Sequence, residues 1–194
     1  MKKIGLTGGI GAGKSIVAHI LTTMDFPVFY SDQVGKELMV SDQDVITKVK
    51  ALFGEEAYQN NQLNRTYIAQ RVFNDETLKT ELNAIVHPAV RNAFSEWQSK
   101  LKCDLCFNEA AILFETGASK LYDKNILVTA PEDIRIKRVM SRDQIPRKQI
   151  ADRIKNQWSD SEKTKLADFL IVNDNLTLLV PQVEKILSEL YEKD

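Results

Sequence analysis

The chain of 194 residues carries 26 Lys+Arg against 27 Asp+Glu, a formal net charge of −1, and is 43% hydrophobic. That balance is ordinary for a soluble globular domain with material for a sizeable core, and it excludes disordered and collagen-like classes. With no positive excess, an extended nucleic-acid-binding surface is not expected, and no apolar run reaches the ~18 residues of a membrane helix.

Residues 3–7 alternate apolar side chains and end in glycines, and residues 14–24 then show helical spacing through Val17, Ala18, Ile20 and Leu21. This reads as strand, loop, helix. Residues 26–30 form a second expected strand, with Ser31 or Asp32 placed to cap a helix over 33–40. From 44 to about 100 the pattern is helical without a convincing strand, interrupted by turn-like Gln59-Asn60-Asn61-Gln62 and Asn74-Asp75. Strand character returns at 103–107, 125–129 and 169–172, with helices over 131–142 and 178–191. Between the last two strands, residues 143–165 are polar, carry a short expected helix over 146–157, and read as a candidate lid. Five strands interleaved with helices imply a parallel, three-layer α/β sheet. The expected organisation is one domain: a core of 1–43 and 101–194, a helical insertion over about 44–100, and the lid over about 143–165.

The start, Met1-Lys2-Lys3, leads into glycines rather than an apolar signal region, so a cytoplasmic location is expected. The only cysteines, Cys103 and Cys106, have C-x-x-C spacing. In a strand, residues three apart point to opposite faces, so the sulfurs should not meet, and His19 and His87 add too few ligands for zinc. Two core thiols in a reducing compartment is the favoured reading.

Gly8-Gly9-Ile10-Gly11-Ala12-Gly13-Lys14-Ser15 fits G-x-x-x-x-G-K-[ST] between an expected strand and an expected helix. Glycines let the backbone curl so that successive N–H groups face a phosphate chain; Lys14 would reach the β and γ phosphates and Ser15 the Mg²⁺ ion. Carboxyl ends of parallel strands face the ligand crevice, which singles out Asp32 and Glu109. Asp32 could take a proton from a hydroxyl nucleophile or simply cap a helix; Glu109 could orient Mg²⁺ through water or be an ordinary strand-end charge. Arg135, Arg138 and Arg142 share one helix face, and Arg153 with Gln157 shares another. Such a stripe suits either a solvated basic surface or cations closing over a transferring phosphoryl group. His87-Pro88 suits a substrate contact and a helix break equally.

In these residues the chain resembles the dephospho-coenzyme A kinase family, from Ile4-Gly5-Leu6-Thr7-Gly8-Gly9-Ile10-Gly11 to Asp168-Phe169-Leu170-Ile171-Val172-Asn173. Asp32, Val72-Phe73, His87-Pro88, Leu113-Phe114-Glu115, Arg138 with Arg142-Asp143, the Arg153–Gln157 pair and Ala167-Asp168 recur in family-like order and spacing. The resemblance implies a P-loop NTPase fold and transfer of the ATP γ-phosphoryl group, with Mg²⁺, to the ribose 3′-hydroxyl of dephospho-coenzyme A. It implies Asp32 as general base, with Lys14 and Arg142 stabilising the transferring group. ATP contacts are implied at Gly8, Gly9, Gly11, Ala12, Gly13, Lys14, Ser15, Ile16, Arg138, Arg142 and Asn173. Acceptor contacts are implied at Thr7, Asp32, His87, Arg91 and Leu113, and the metal at Ser15 and Glu109. The partner is then a small molecule, with no nucleic acid or membrane, and the protein a monomer or weak homo-oligomer. Where the family commonly has D-A-D this chain reads Tyr30-Ser31-Asp32, and where it has D-x-P-L-L-F-E this chain has Ala111 in place of proline. Rival readings are another small-molecule kinase, acting on a nucleoside monophosphate, and a nucleotide-switched binding protein. Asp32-Gln33-Val34-Gly35 mimics D-x-x-G, yet it lies 18 residues past Lys14 and no N-K-x-D follows.

Overall fold

A computed structural model describes residues 1–60, 62–73 and 75–192. In chain order they form β1 (Lys2–Gly8), α1 (Lys14–Thr23), β2 (Val28–Tyr30), α2 (Ser31–Ser41), α3 (Gln43–Phe53), β3 (Tyr58–Gln59), β4 (Gln62–Leu63), α4 (Arg65–Phe73) and α5 (Glu76–Ser99). There follow β5 (Leu105–Glu109), β6 (Lys124–Thr129), α6 (Glu132–Asp143), α7 (Arg147–Lys155), α8 (Asp160–Thr164), β7 (Phe169–Val172) and α9 (Leu179–Glu192). The chain divides into two compact units, residues 1–30 with 103–194, and residues 31–102.

The first unit is built on a five-stranded sheet of order β2-β5-β1-β6-β7 in which every neighbouring pair is parallel. Its central strand β1 is buried from Ile4 to Gly8, as a strand covered on both faces must be. Ile4, Leu6, Phe107, Ile126, Val128 and Ile171 form one apolar cluster with Val17, Ala18 and Leu21 of α1 and Val183, Ile186, Leu187 and Leu190 of α9. Full burial of one such side chain contributes about 1.5–3 kcal/mol, so this layer dominates the unit's stability. On the opposite face Leu113 and Tyr122 of the loop 110–122, with Asn125 of β6, stand where a side chain at Gly5 would go. Asn108 donates to the Tyr122 hydroxyl there, and the fully buried Lys163 of α8 meets Glu115 at 2.7 Å. At the β7 edge, the Val172 N–H donates to Gln182 Oε1 at 2.8 Å while Gln182 Nε2 donates to the Val172 carbonyl at 2.9 Å.

The second unit is helical. Val45, Val49 and Phe53 of α3, spaced by four, form a core with Ala57 and Ile68, flanked by Leu78, Leu82, Ile85 and Ala89 of α5. Asp42 and Asp75 cap α3 and α5, each accepting from two backbone N–H groups.

Several boundaries differ from the expectations. Tyr30 runs directly into α2, so Ser31 and Asp32 occupy its first turn instead of capping a later helix. The second unit begins at residue 31 rather than 44, because α2 packs with α3 and α5. It also contains a strand pair, β3 with β4, two residues each; Asn61 of that turn and Asn74 lie outside the described residues. His87-Pro88 does not break a helix: α5 runs through it to Ser99. The third sheet strand starts at Leu105, since β1 pairs Lys2 with Leu105, which leaves Cys103 ahead of it and Cys106 buried within it, both free thiols. Residues 143–165 hold a second helix, α8, opened by a capping box between Ser159 and Glu162.

Candidate active site

The loop from Gly8 to Gly13 leaves β1 at the carboxyl edge of the sheet and enters α1, whose N-cap is Gly13. Gly11 and Gly13 have φ of +77° and +98°, and a Cβ at Gly13 would lie 2.1 Å from the Asn173 amide. Only glycine meets both demands, and the reward is a run of N–H groups opening a helix, the arrangement that attracts phosphate. Lys14 Nζ donates to the Gly8 carbonyl at 3.0 Å, so its ammonium lies back across the loop, 4.0 Å from Glu109 at the end of β5. Both side chains are 12% exposed. Ser15 and Ile16 sit exposed in the first turn of α1, while Ala12 is buried beneath the loop.

α6 and the end of β7 brace this loop. Arg138 Nη2 donates to the Asn173 carbonyl and to Asn173 Oδ1, both at 3.0 Å, and to Asn175 Oδ1 at 2.5 Å. Its Nη1 reaches the Gly11 and Ala12 carbonyls at 3.3 and 3.4 Å. Asn173 Nδ2 donates to the Ala12 carbonyl at 2.9 Å. Arg138 and Asn173 therefore join the phosphate loop to the β7 end, and Arg135 reaches the loop as well through the Ile10 carbonyl at 2.9 Å. Two members of the arginine stripe are thus turned onto the loop and are not a solvated basic face. Arg142 is apart from them: its Nε and Nη2 donate to Asp143 at 2.6 and 3.0 Å, and that bond holds the Asp143 carboxyl below the usual range. Arg153 lies 3.9 Å from the same carboxylate.

Among the remaining candidates of this unit, Thr7 is fully buried at the end of β1, and its Oγ1 finds no hydrogen-bond partner among the described residues. Leu113 is 3% exposed and packs toward Gly5, so its contacts are with the core. Asp32, His87 and Arg91 belong to the second unit. Asp32 is exposed in the first turn of α2, two residues past β2, where the helix terminus favours its negative charge. Burial within α5 and the charge of Arg91 lower the His87 pKa, and Asp32 opposes them.

Among the described residues no three His, Cys, Asp or Glu side chains gather as a metal cage. Magnesium at phosphate sites keeps several waters and takes one or two protein ligands, so a hydroxyl at Ser15 and a carboxylate at Glu109 fit its chemistry. No helix among the described residues is long and apolar enough to cross a membrane.

The family model for dephospho-CoA kinase matches residues 2–178. The chain belongs to the dephospho-CoA kinase family. A dephospho-CoA kinase of Bacteroides fragilis is 39% identical over 192 residues, 98% of this chain and 94% of that protein. A solved structure from Thermus thermophilus superposes with a TM-score of 0.85 at 33% identity, over 99% of this chain and 97% of that one. Dephospho-CoA kinase from Campylobacter jejuni superposes at 0.70 with 25% identity, over 98% and 97%. The fold is that of the P-loop kinases, with a five-stranded parallel sheet.

Two features of this family member leave little trace in the sequence. The buried Lys163–Glu115 pair has no signal beyond Glu115 itself, because a lysine within the polar stretch 143–165 reads as solvated. Gln157, whose spacing suggests only a helix-face partner of Arg153, instead accepts from the Ile10 N–H at 2.9 Å.

Proposed function

We infer that this protein transfers the γ-phosphoryl group of ATP to the ribose 3′-hydroxyl of dephospho-coenzyme A, giving coenzyme A and ADP. Family membership over nearly the whole chain carries the reading, and the glycine loop with Lys14 folded across it supports it. The loop N–H groups and Lys14 bind the triphosphate, and the Arg138–Asn173 brace lines the nucleotide side. Ser15 and Glu109 would hold Mg²⁺, which when bound neutralises phosphate charge. Asp32 takes the proton of the attacking hydroxyl as its oxygen bonds to the γ phosphorus and the bond to the β-phosphate oxygen breaks. Arg142, released from Asp143, stabilises charge on the transferring group. Thr7, His87, Arg91 and Leu113 are assigned to the acceptor. The protein acts in the cytoplasm as a monomer or weak homo-oligomer.

The test is ADP release with Mg-ATP, comparing dephospho-coenzyme A with AMP, UMP, CMP and water. Turnover confined to dephospho-coenzyme A, with a product bearing a new 3′-phosphate, is expected. Turnover only with a nucleoside monophosphate, or slow hydrolysis alone, would overturn the reading.

A further inference from the structure

Ile10, at the crest of the phosphate loop, has both of its backbone polar groups taken by side chains from far along the chain. Its N–H donates to Gln157 Oε1 at 2.9 Å, and its carbonyl accepts from Arg135 Nε at 2.9 Å. Arg135 is held in turn by Asp160, whose carboxylate oxygens lie 3.2 and 3.3 Å from Nη1, and it is only 6% exposed. Asp160 opens α8, which the Lys163–Glu115 pair fixes to the loop after β5. The Ile10 side chain packs on Ile136 and Val139 of α6 and Ile150 of α7.

A phosphate-binding loop works by having its N–H groups aimed before the ligand arrives, because reorienting them on binding costs affinity. Committing the Ile10 N–H to Gln157 withdraws it from the ligand and sets the peptide plane from which Gly11 to Lys14 continue. A glutamine supplies a neutral acceptor, so no net negative charge is added beside the triphosphate, and the nearby Asp160 is balanced by Arg135. Gln157 directly follows Asn156, the C-cap of α7, and its own N–H donates to the Ile154 carbonyl. The end of α7 and the crest of the loop are therefore joined by one hydrogen bond.

We propose that Gln157 is a positioning residue for phosphoryl transfer, acting through the Ile10 peptide to hold the phosphate loop in its nucleotide-binding form. This rests on the kinase reading above. Gln157→Met keeps the side-chain length and removes the acceptor, whereas Gln157→Glu keeps an acceptor. Binding of magnesium adenylyl imidodiphosphate is measured by calorimetry, amide exchange of Ile10 by NMR in the ligand-free protein, and KM for dephospho-coenzyme A by ADP release. Gln157→Met is expected to weaken analogue binding and speed Ile10 exchange about five- to tenfold, the worth of one such hydrogen bond. The acceptor KM should stay within about twofold, since the loss lies on the nucleotide side. Gln157→Glu should restore slow Ile10 exchange. Wild-type analogue affinity and wild-type Ile10 exchange in Gln157→Met would overturn the proposal. So would weakened binding with Ile10 exchange unchanged, which would put Gln157 on the nucleotide itself. Analogue binding and Ile10 exchange need no acceptor, so a wild-type protein inactive toward dephospho-coenzyme A would refute the kinase reading and leave these two tests standing.

Discussion

Removing Glu115 strands a lysine that has no exposed surface. Lys163 Nζ lies 2.7 Å from Glu115 Oε1, with side-chain exposures of 0% and 14%, so Glu115→Ala leaves an ammonium in the interior without its counter-charge. Breaking a buried pair from one side costs about 3–5 kcal/mol, because the remaining charge keeps its desolvation penalty and loses its compensation. The Trp158 N–H, which donates to the same Oε1 at 3.3 Å, loses its acceptor too, but water can replace it at that exposed position. In a chain of this length each kcal/mol lowers Tm by about 2–4 °C, so the expected fall is about 6–20 °C. The assay is urea unfolding followed by Trp158 fluorescence in a Trp97→Phe background, since Trp97 belongs to the other unit. The midpoint should drop while the slope of stability against urea stays constant. Replacing both partners, Lys163→Met with Glu115→Leu, removes the stranded charge and should recover stability to within about 1–2 kcal/mol of wild type. A single variant within about 1 kcal/mol of wild type, or a double variant no better than the single, would refute the reasoning.

Three further outcomes are expected. Asp32→Asn should cut turnover by about 10² to 10⁴ while leaving ATP affinity nearly intact, read by steady-state ADP release and nucleotide titration; normal turnover would leave Asp32 only its favourable place in the first turn of α2. Arg142→Ala should lower kcat by about 10² and raise the ATP dissociation constant far less, and an unchanged kcat would leave Arg142 as the surface partner of Asp143. Burial, and secondarily the neighbouring Cys103, pushes the Cys106 thiol up to about 11. A folded-state pKa above the unfolded one gives stability that is complete below the ordinary thiol value and is lost as pH rises through about 11. Urea midpoints from pH 8 to 11 should therefore fall more steeply in wild type than in Cys106→Ala, and parallel slopes would contradict it.

The sheet was legible because its strands are short apolar runs set between helical periods, and the phosphate loop because its glycines are a steric necessity. Burial on both faces gives a strand no alternation to mark its ends, which is why the apolar run from Cys103 overshoots the strand start at Leu105 by two residues. Ser31 and Asp32 carry good capping side chains, yet the chain turns into α2 straight from Tyr30, and propensity yielded to that continuity. Pro88 sits inside α5 because the flanking apolar residues, Ile85 and Ala89, pack on the second unit's core and offset the missing N–H. The contacts of Arg135, Arg138 and Gln157 with the phosphate loop join positions more than 100 residues apart and leave no local periodicity. Their charges and amides are visible in the sequence; their partners, backbone groups of the loop together with Asp160, Asn173 and Asn175, are not.

The amide of Gln182 has a consequence for how the protein behaves at high concentration. β7 ends the sheet, and its Val172 presents an N–H and a carbonyl where a sixth strand would pair. A free edge of this kind is a template for strands from other molecules. Gln182 from α9 takes both groups, acting as a one-residue substitute for the missing neighbour. The same helix that packs on the sheet thus also occupies both outward backbone groups of Val172 on this edge.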